Sequence, residues 1–277
     1  MKKFKIGLQL YSVRREMERD MDSALADVKK IGYDYVEFAG YFGKTAQQVR
    51  ALLDKHGLTC VSVHQSPDLF LREGQKAVDY VKTLGAEYAA IPWYPADKLK
   101  GSPEWDKTVE NFTKVAKLLK KNGIQLMYHN HDSEFKKVDG KYLLDWIFDT
   151  IPADLIQPQV DTCWAHYAGC DPVKYLLKYS GRIKVVHLKD FACTKLGGGP
   201  VYALIDENGK EGKKPTQKDT GFEYRPLGRG IQDIPAILKA SEKAGAEIQI
   251  VEQDESPDRP PMEAAKISRE YLKSLGQ

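Results

Sequence analysis

His129, Asn130 and His131 close a short apolar run at residues 124–128, inside the stretch GIQLMYHNHDSEF that begins at Gly123. A run of this kind after a glycine reads as a buried parallel strand. Residues two apart in extended backbone point the same way, so His129 and His131 face one direction at the strand's carboxyl end. Two imidazoles so placed could hold a metal ion or move a proton, or could simply be hydrogen-bonded at a strand end. Three further apolar runs finish alike: QPQVDT delivers Asp161, KVVHLKD delivers His187, Lys189 and Asp190, and IQIVEQD delivers Glu252. Each residue alone has an ordinary reading, the acids as helix caps and the histidines as satisfied core groups. Together on one rim, two carboxylates and one or two imidazoles make a mixed donor set suited to Mn, Co, Fe or Zn, and less well to Mg.

Such a rim needs parallel strands side by side, and the rest of the chain supplies them. Apolar runs at 4–10, 34–38, 58–63, 88–91, 124–128, 155–160, 182–188 and 247–251 alternate with amphipathic segments. Those segments lie at 21–31, 45–56, 73–84, 103–122, 141–150, 171–179, 231–244 and 262–275. Thr45 is placed to cap the second of them and Ser102 with Pro103 to open the fourth, while Gly57 and Gly245 stand where helices stop. Eight β-then-α units predict an α/β fold, a single (β/α)8 TIM barrel spanning residues 1–277. A doubly wound open sheet is the alternative, but no G-x-G-x-x-G follows the first strand. Residues 191–230 separate strand seven from its helix by about 40 residues, far beyond a usual connection. They are expected to form an insertion on the carboxyl face, with a hairpin around Asn208-Gly209 and a lid.

The residues just after barrel strands converge on one rim, and that rim carries the chemistry. Glu37 and His64 are then expected as hydroxyl contacts across it. Tyr11, Trp93, Trp164 and His166, with Tyr94 and Tyr167, supply flat walls and hydrogen-bonding groups, a combination that suits a sugar. Lys189 or Arg225 could steady developing charge or bind a carboxylate or phosphate; either could equally be a solvated cation.

Composition narrows the partners. The net charge of +3 is a small difference between 42 basic and 39 acidic residues, and the lysines form no stripe, which argues against nucleic acid. Cys60, Cys163, Cys170 and Cys193 show no C-x-x-C spacing, as expected of reduced thiols in an intracellular protein. The opening MKKFKIGLQLY lacks the apolar stretch of a signal peptide, and no run approaches the roughly 18 apolar residues of a membrane span. A soluble cytoplasmic protein with a small-molecule substrate and no membrane partner is expected; homo-oligomerisation is left open.

GLQLYSVR at 7–14, YHNHDSEF at 128–135, VDTCWAHYAG at 160–169, VVHLKD at 185–190 and PLGRGIQDIPAIL at 226–238 resemble the sugar phosphate isomerase/epimerase family. This belongs to the xylose isomerase-like barrel superfamily, which also holds endonuclease IV, ketose 3-epimerases and inosose dehydratase. The resemblance covers essentially the whole chain. It implies a divalent metal, Mn foremost, on Asp161, His187 and Glu252, with His129, or less readily His131, where many members carry a glutamate. It also implies enolisation of a sugar, with Glu252, His129, His131 and Lys189 as candidate catalytic groups. Ketose 3-epimerases use two metal-bound glutamates, one on each face of the substrate, and this chain has Glu252 alone. Isomerisation or epimerisation is the leading expectation; a keto-sugar lyase or dehydratase is the runner-up. An endonuclease-type site would need several more ligands, and a non-catalytic binding barrel would lack the ones present.

Overall fold

The computed structural model describes residues 2–197, 201 and 221–277. Among them, eight parallel strands close a barrel: β1 (Lys5–Gln9), β2 (Tyr35–Ala39), β3 (Thr59–His64), β4 (Tyr88–Ile91), β5 (Gln125–His129), β6 (Ile156–Asp161), β7 (Val185–Leu188) and β8 (Ile248–Val251). Each strand pairs with its neighbours in sequence, and β8 closes on β1 through registers such as Gly7 with Ile250. The expected (β/α)8 barrel is the fold found.

Side-chain parity explains how the barrel is plugged and where its polar layer lies. Val61, Ala90, Met127, Val185, Ile248 and Ile250 form an apolar cluster separate from the larger core between strands and helices. Two residues further along their strands, Met127 gives way to His129, Val185 to His187 and Ile250 to Glu252. Side chains two apart share a face, so the polar groups stand on the apolar plug at the carboxyl end. Gly7 serves the plug by what it lacks: a Cβ there would meet Ile250 Cδ1 at 2.6 Å.

The helices largely follow the amphipathic pattern. Thr45 caps Ala46–His56 in a capping box with Gln48, and Gly57 and Gly245 end their helices in the left-handed conformation. Four details differ from expectation. The helix expected at 73–84 is Gln75–Leu84, and Gly74 separates it from a preceding helix, Pro67–Glu73. The helix expected from 103 begins later, as Trp105–Lys121, after a turn in which Trp105 N donates to the Ser102 carbonyl. Lys141–Tyr142 pairs with Lys137–Val138 as a small ribbon, so that helix starts at Leu143. A short helix, Thr162–Tyr167, follows β6 directly.

Asp190–Ala192 and Glu223–Arg225, at the two ends of the insertion, pair as an antiparallel ribbon. The expected hairpin at Asn208-Gly209 and the lid lie outside the described residues. Among the described residues, no helix is long and apolar enough to cross a membrane.

Candidate active site

Donor atoms of His129, Asp161, His187 and Glu252, from β5, β6, β7 and the end of β8, all lie within 4.8 Å of one another. Donors bonded to one ion at about 2.1 Å would lie at most about 4.2 Å apart, so a small contraction closes the set. All four side chains are buried. The geometry therefore selects His129 for the group of four and leaves His131 outside it. His131 lies beyond the strand end, its ring 5.3 Å from that of His129 and stacked on Trp164 at 5.6 Å.

Each member is held in a defined orientation. Asp161 Oδ1 accepts from the N–H groups of Cys163 and Trp164 at 2.8 and 3.0 Å, capping the short helix. Its Oδ2 accepts no hydrogen bond among the described residues and lies 3.3 Å from the Lys189 ammonium and 3.9 Å from His129 Nε2. His129 Nδ1 also has no hydrogen-bond partner among the described residues. Asn130 brackets the Asp161 backbone, its Oδ1 accepting from Asp161 N at 3.0 Å and its Nδ2 donating to Asp161 O at 3.1 Å. His187 Nε2 lies 2.7 Å from Glu37 Oε1 and its Nδ1 lies 3.0 Å from Glu252 Oε2. A carboxylate behind one ring nitrogen, with the other facing the donor cluster, is how metal-ligating histidines are commonly oriented. A buried set of two imidazoles and two carboxylates, with His129 Nδ1 lacking a hydrogen-bond partner among the described residues, fits a divalent ion.

Glu37, expected as a substrate contact, is fully buried beneath this layer. Gln9 Nε2 and Gln159 Nε2 donate to its two oxygens at 2.8 and 2.6 Å, and His64 Nε2 stands 3.0 Å away. Burial would raise its pKa, but the charges and hydrogen bonds of His64 and His187 outweigh that and hold it well below the ordinary range. For His187, burial opposes protonation, yet Glu37 and Glu252 push its pKa up to about 10. Burial and the positive neighbours depress His129, and burial with the nearby Lys189 charge takes His131 down to about 3, so both rings are neutral.

Lys189 is 1% exposed, its Nζ 3.3 Å from Asp161 Oδ2, 3.0 Å from Glu252 Oε2 and 3.0 Å from Asp254 Oδ1. Burial works against its charge, but the three carboxylates overcome it and raise the pKa well above normal. Lys189 and His187 in turn hold the Glu252 carboxyl low against its burial, whereas burial dominates at Asp161 and raises it. The Trp164 ring flanks the ammonium at 5.0 Å and packs on Phe222 and Tyr224.

The other candidates are dispersed. Tyr11 is half-buried, with the Arg14 guanidinium 4.1 Å from its ring centre. Trp93 is half-buried after β4. Tyr94 packs edge-on against Phe112, and Tyr167 against Phe191 and Phe222. His166 Nδ1 meets Gln232 Oε1 at 2.6 Å. Arg225 pairs with Glu223 and with Asp258, the latter at 3.7 Å, and makes no contact with the donor cluster among the described residues. Glu134 lies under the turn after β5, accepting from Tyr128 Oη, His131 N and Ser133 Oγ, and so is no substitute ligand.

Sequence reasoning missed Gln159 and Asp254, and it named Asn130 without a role. Gln159 and Asp254 were reachable by parity, each lying two residues from a member of the donor set on the same strand or just past it.

Known proteins share this framework. The chain is 28% identical over 278 residues to the inosose dehydratase of Geobacillus kaustophilus (strain HTA426), covering 92% of this chain and 87% of that protein. A sugar phosphate isomerase/epimerase structure from Parabacteroides distasonis superposes with a TM-score of 0.77 at 24% identity, covering 99% of this chain and 95% of that one. The structure of IolI protein with a bound zinc atom superposes with a TM-score of 0.70 at 16% identity, covering 98% of this chain and 97% of that one. A sequence model of the xylose isomerase-like TIM barrel matches residues 25–275, and the chain belongs to that family.

Proposed function

We propose that the chain is a divalent-metal-dependent enzyme that removes a proton beside the carbonyl of a sugar or keto sugar. The observation that carries this reading is the convergence of His129, Asp161, His187 and Glu252 at the carboxyl end of a closed barrel. A divalent ion held by these four would polarise a carbonyl and its neighbouring hydroxyl and acidify the C–H between them. Imidazoles beside carboxylates suit Mn, Co, Fe or Zn better than Mg, and zinc is the metal bound in the IolI protein structure.

Glu252 is the base in this proposal. Its carboxyl is ionised, and His187 and Lys189 fix its orientation. Lys189 is a protonated, buried donor that steadies negative charge on the substrate or passes a proton to a departing group.

Epimerisation at one carbon needs a base on each face of the substrate. Of the two carboxylates in the donor set, Asp161 caps a helix through one oxygen, and Glu37 and Asp254 lie outside the set. Glu252 is left as the single carboxylate base, which supports one-base chemistry. Loss of water or of a glycosidic oxygen β to the carbonyl uses that base together with Lys189 as acid. Likeness to inosose dehydratase along 92% of the chain favours this outcome. Aldose–ketose isomerisation, which needs the same base, is the second reading.

The test is product analysis by NMR, with Mn-loaded protein and a panel of ketoses, inososes and 3-keto-glycosides. Release of water or an aglycone with an enone product supports elimination; ketose–aldose interconversion supports isomerisation. Metal-loaded protein that converts none of them contradicts the proposal.

A further inference from the structure

The Lys189 ammonium and the divalent ion call for the same two carboxylates. Nζ lies 3.3 Å from Asp161 Oδ2 and 3.0 Å from Glu252 Oε2, and both residues belong to the donor set of four. Its third partner, Asp254, does not. Both Asp254 oxygens are within reach, Oδ1 at 3.0 Å and Oδ2 at 3.3 Å. Asp254 is itself fixed: Tyr224 Oη, on the ribbon at the foot of the insertion, donates to Oδ2 at 2.9 Å. Arg14 Nη1 donates to the Asp254 carbonyl at 2.6 Å, and the preceding N–H, of Gln253, donates to Ser12 Oγ at 3.0 Å. Three carboxylates thus face one ammonium, and the two negative charges left over equal the charge of a divalent ion.

We propose that Asp254 is a positioning residue, the dock that receives the Lys189 ammonium when a divalent ion takes Asp161 and Glu252. Without metal, Lys189 neutralises the ligand carboxylates; with metal, it pairs with Asp254 and stays at the edge of the site. The inference rests on the metal reading of the donor set. It accounts for a lysine buried among metal ligands, an arrangement that would otherwise oppose metal binding by charge repulsion.

The test is calorimetric titration of the chelator-stripped full chain with MnCl2 and CoCl2. Asp254→Asn leaves Lys189 with the metal's own ligands as partners, and binding weakens by about 10–100-fold, as for other residues that orient a metal site. Lys189→Met removes the competing charge, which at this range shifts a carboxylate by about one to three pKa units, so binding tightens by about tenfold or more. The double variant matches Lys189→Met, because Asp254 acts only through the ammonium. A merely structural Asp254 would weaken binding equally with or without Lys189, and that result overturns the inference. So does unchanged affinity in Asp254→Asn. If Asp254→Asn does not fold by circular dichroism, Lys189→Met decides alone: tighter binding supports the inference, unchanged or weaker binding overturns it. A wild-type chain that binds neither ion overturns both this inference and the metal reading, whereas wild-type binding with an unaffected Asp254→Asn overturns the inference only.

Discussion

Asp190→Asn is a small change with a large expected cost. Asp190 Oδ1 accepts from the N–H groups of Phe191 and Gln232 at 2.9 and 3.1 Å, and Oδ2 from those of Gly228 and Gly230, both at 3.0 Å. One carboxylate thereby pins the loop at 226–232 to the end of β7. The fit is close enough that a Cβ on Gly230 would lie 2.2 Å from Asp190 Oδ1. An asparagine keeps one oxygen and two of the four bonds, and turns its NH2 toward two N–H donors. Hydrogen bonds to a charged group are worth about 1.5–3 kcal/mol each, so losing two costs about 3–6 kcal/mol. A chain of 277 residues unfolds with an entropy of about 2.1 cal/mol/K per residue, or about 0.6 kcal/mol/K in total. The melting temperature should therefore fall by about 5–10 °C in a calorimetric scan. Asp233→Asn is the control: Asp233 caps the helix Ile234–Ala244 through Ala236 N, and asparagine caps about as well as aspartate, so its melting temperature should stay near wild type. A fall of under about 2 °C in Asp190→Asn would refute the reasoning, since it corresponds to about 1 kcal/mol and the four bonds would then not be holding the loop.

Two further outcomes follow from the site. Saturation with Mn at about 100 times its dissociation constant adds about 2.7 kcal/mol, so the melting temperature should rise by about 4–5 °C in wild type and not in His187→Ala. Glu37→Gln leaves a buried ion network short of one partner at a cost of about 3–5 kcal/mol, which differential scanning fluorimetry should read as a fall of about 5–8 °C. The same variant should bind metal about 10–100-fold more weakly by calorimetry, because His187 loses the carboxylate that orients it.

The barrel was legible because its strands are short apolar runs set between amphipathic helices, a pattern that local chemistry fixes. The donor set was legible for a related reason. His129, His187 and Glu252 each continue the inward face of a strand whose preceding inward residue is apolar, so parity alone aims them at one place. The preference for His129 over His131 came from the family resemblance and not from the residues alone, because it turns on where β5 stops pairing, with His129 opposite Gln159 on β6. Glu37 looked like a free rim carboxylate because its partners Gln9, Gln159 and His187 lie on three other strands. For Arg225 the sequence left two readings open, and its acidic neighbours are Glu223, two residues away, and Asp258, far along the chain. The PLGRGIQDIPAIL stretch carried the family resemblance, yet its physical reason, the Asp190 clamp on Gly228, Gly230 and Gln232, appears only once the loop is folded back on β7. The helix break at Gly74 and the helix Thr162–Tyr167 were lost to short lengths, where a 3.6-residue period has too few turns to register.

Solvent hydrogen exchange tests the central claim most directly. Mn-loaded protein incubated in D2O with a keto sugar should place deuterium on the carbon beside the carbonyl, in recovered substrate or in product, as followed by NMR. Glu252→Gln, which keeps the shape of the side chain and removes its basicity, should lose that exchange while the protein stays folded and metal-loaded. Exchange that persists undiminished in Glu252→Gln, or that proceeds equally well in His187→Ala stripped of metal, would contradict the account.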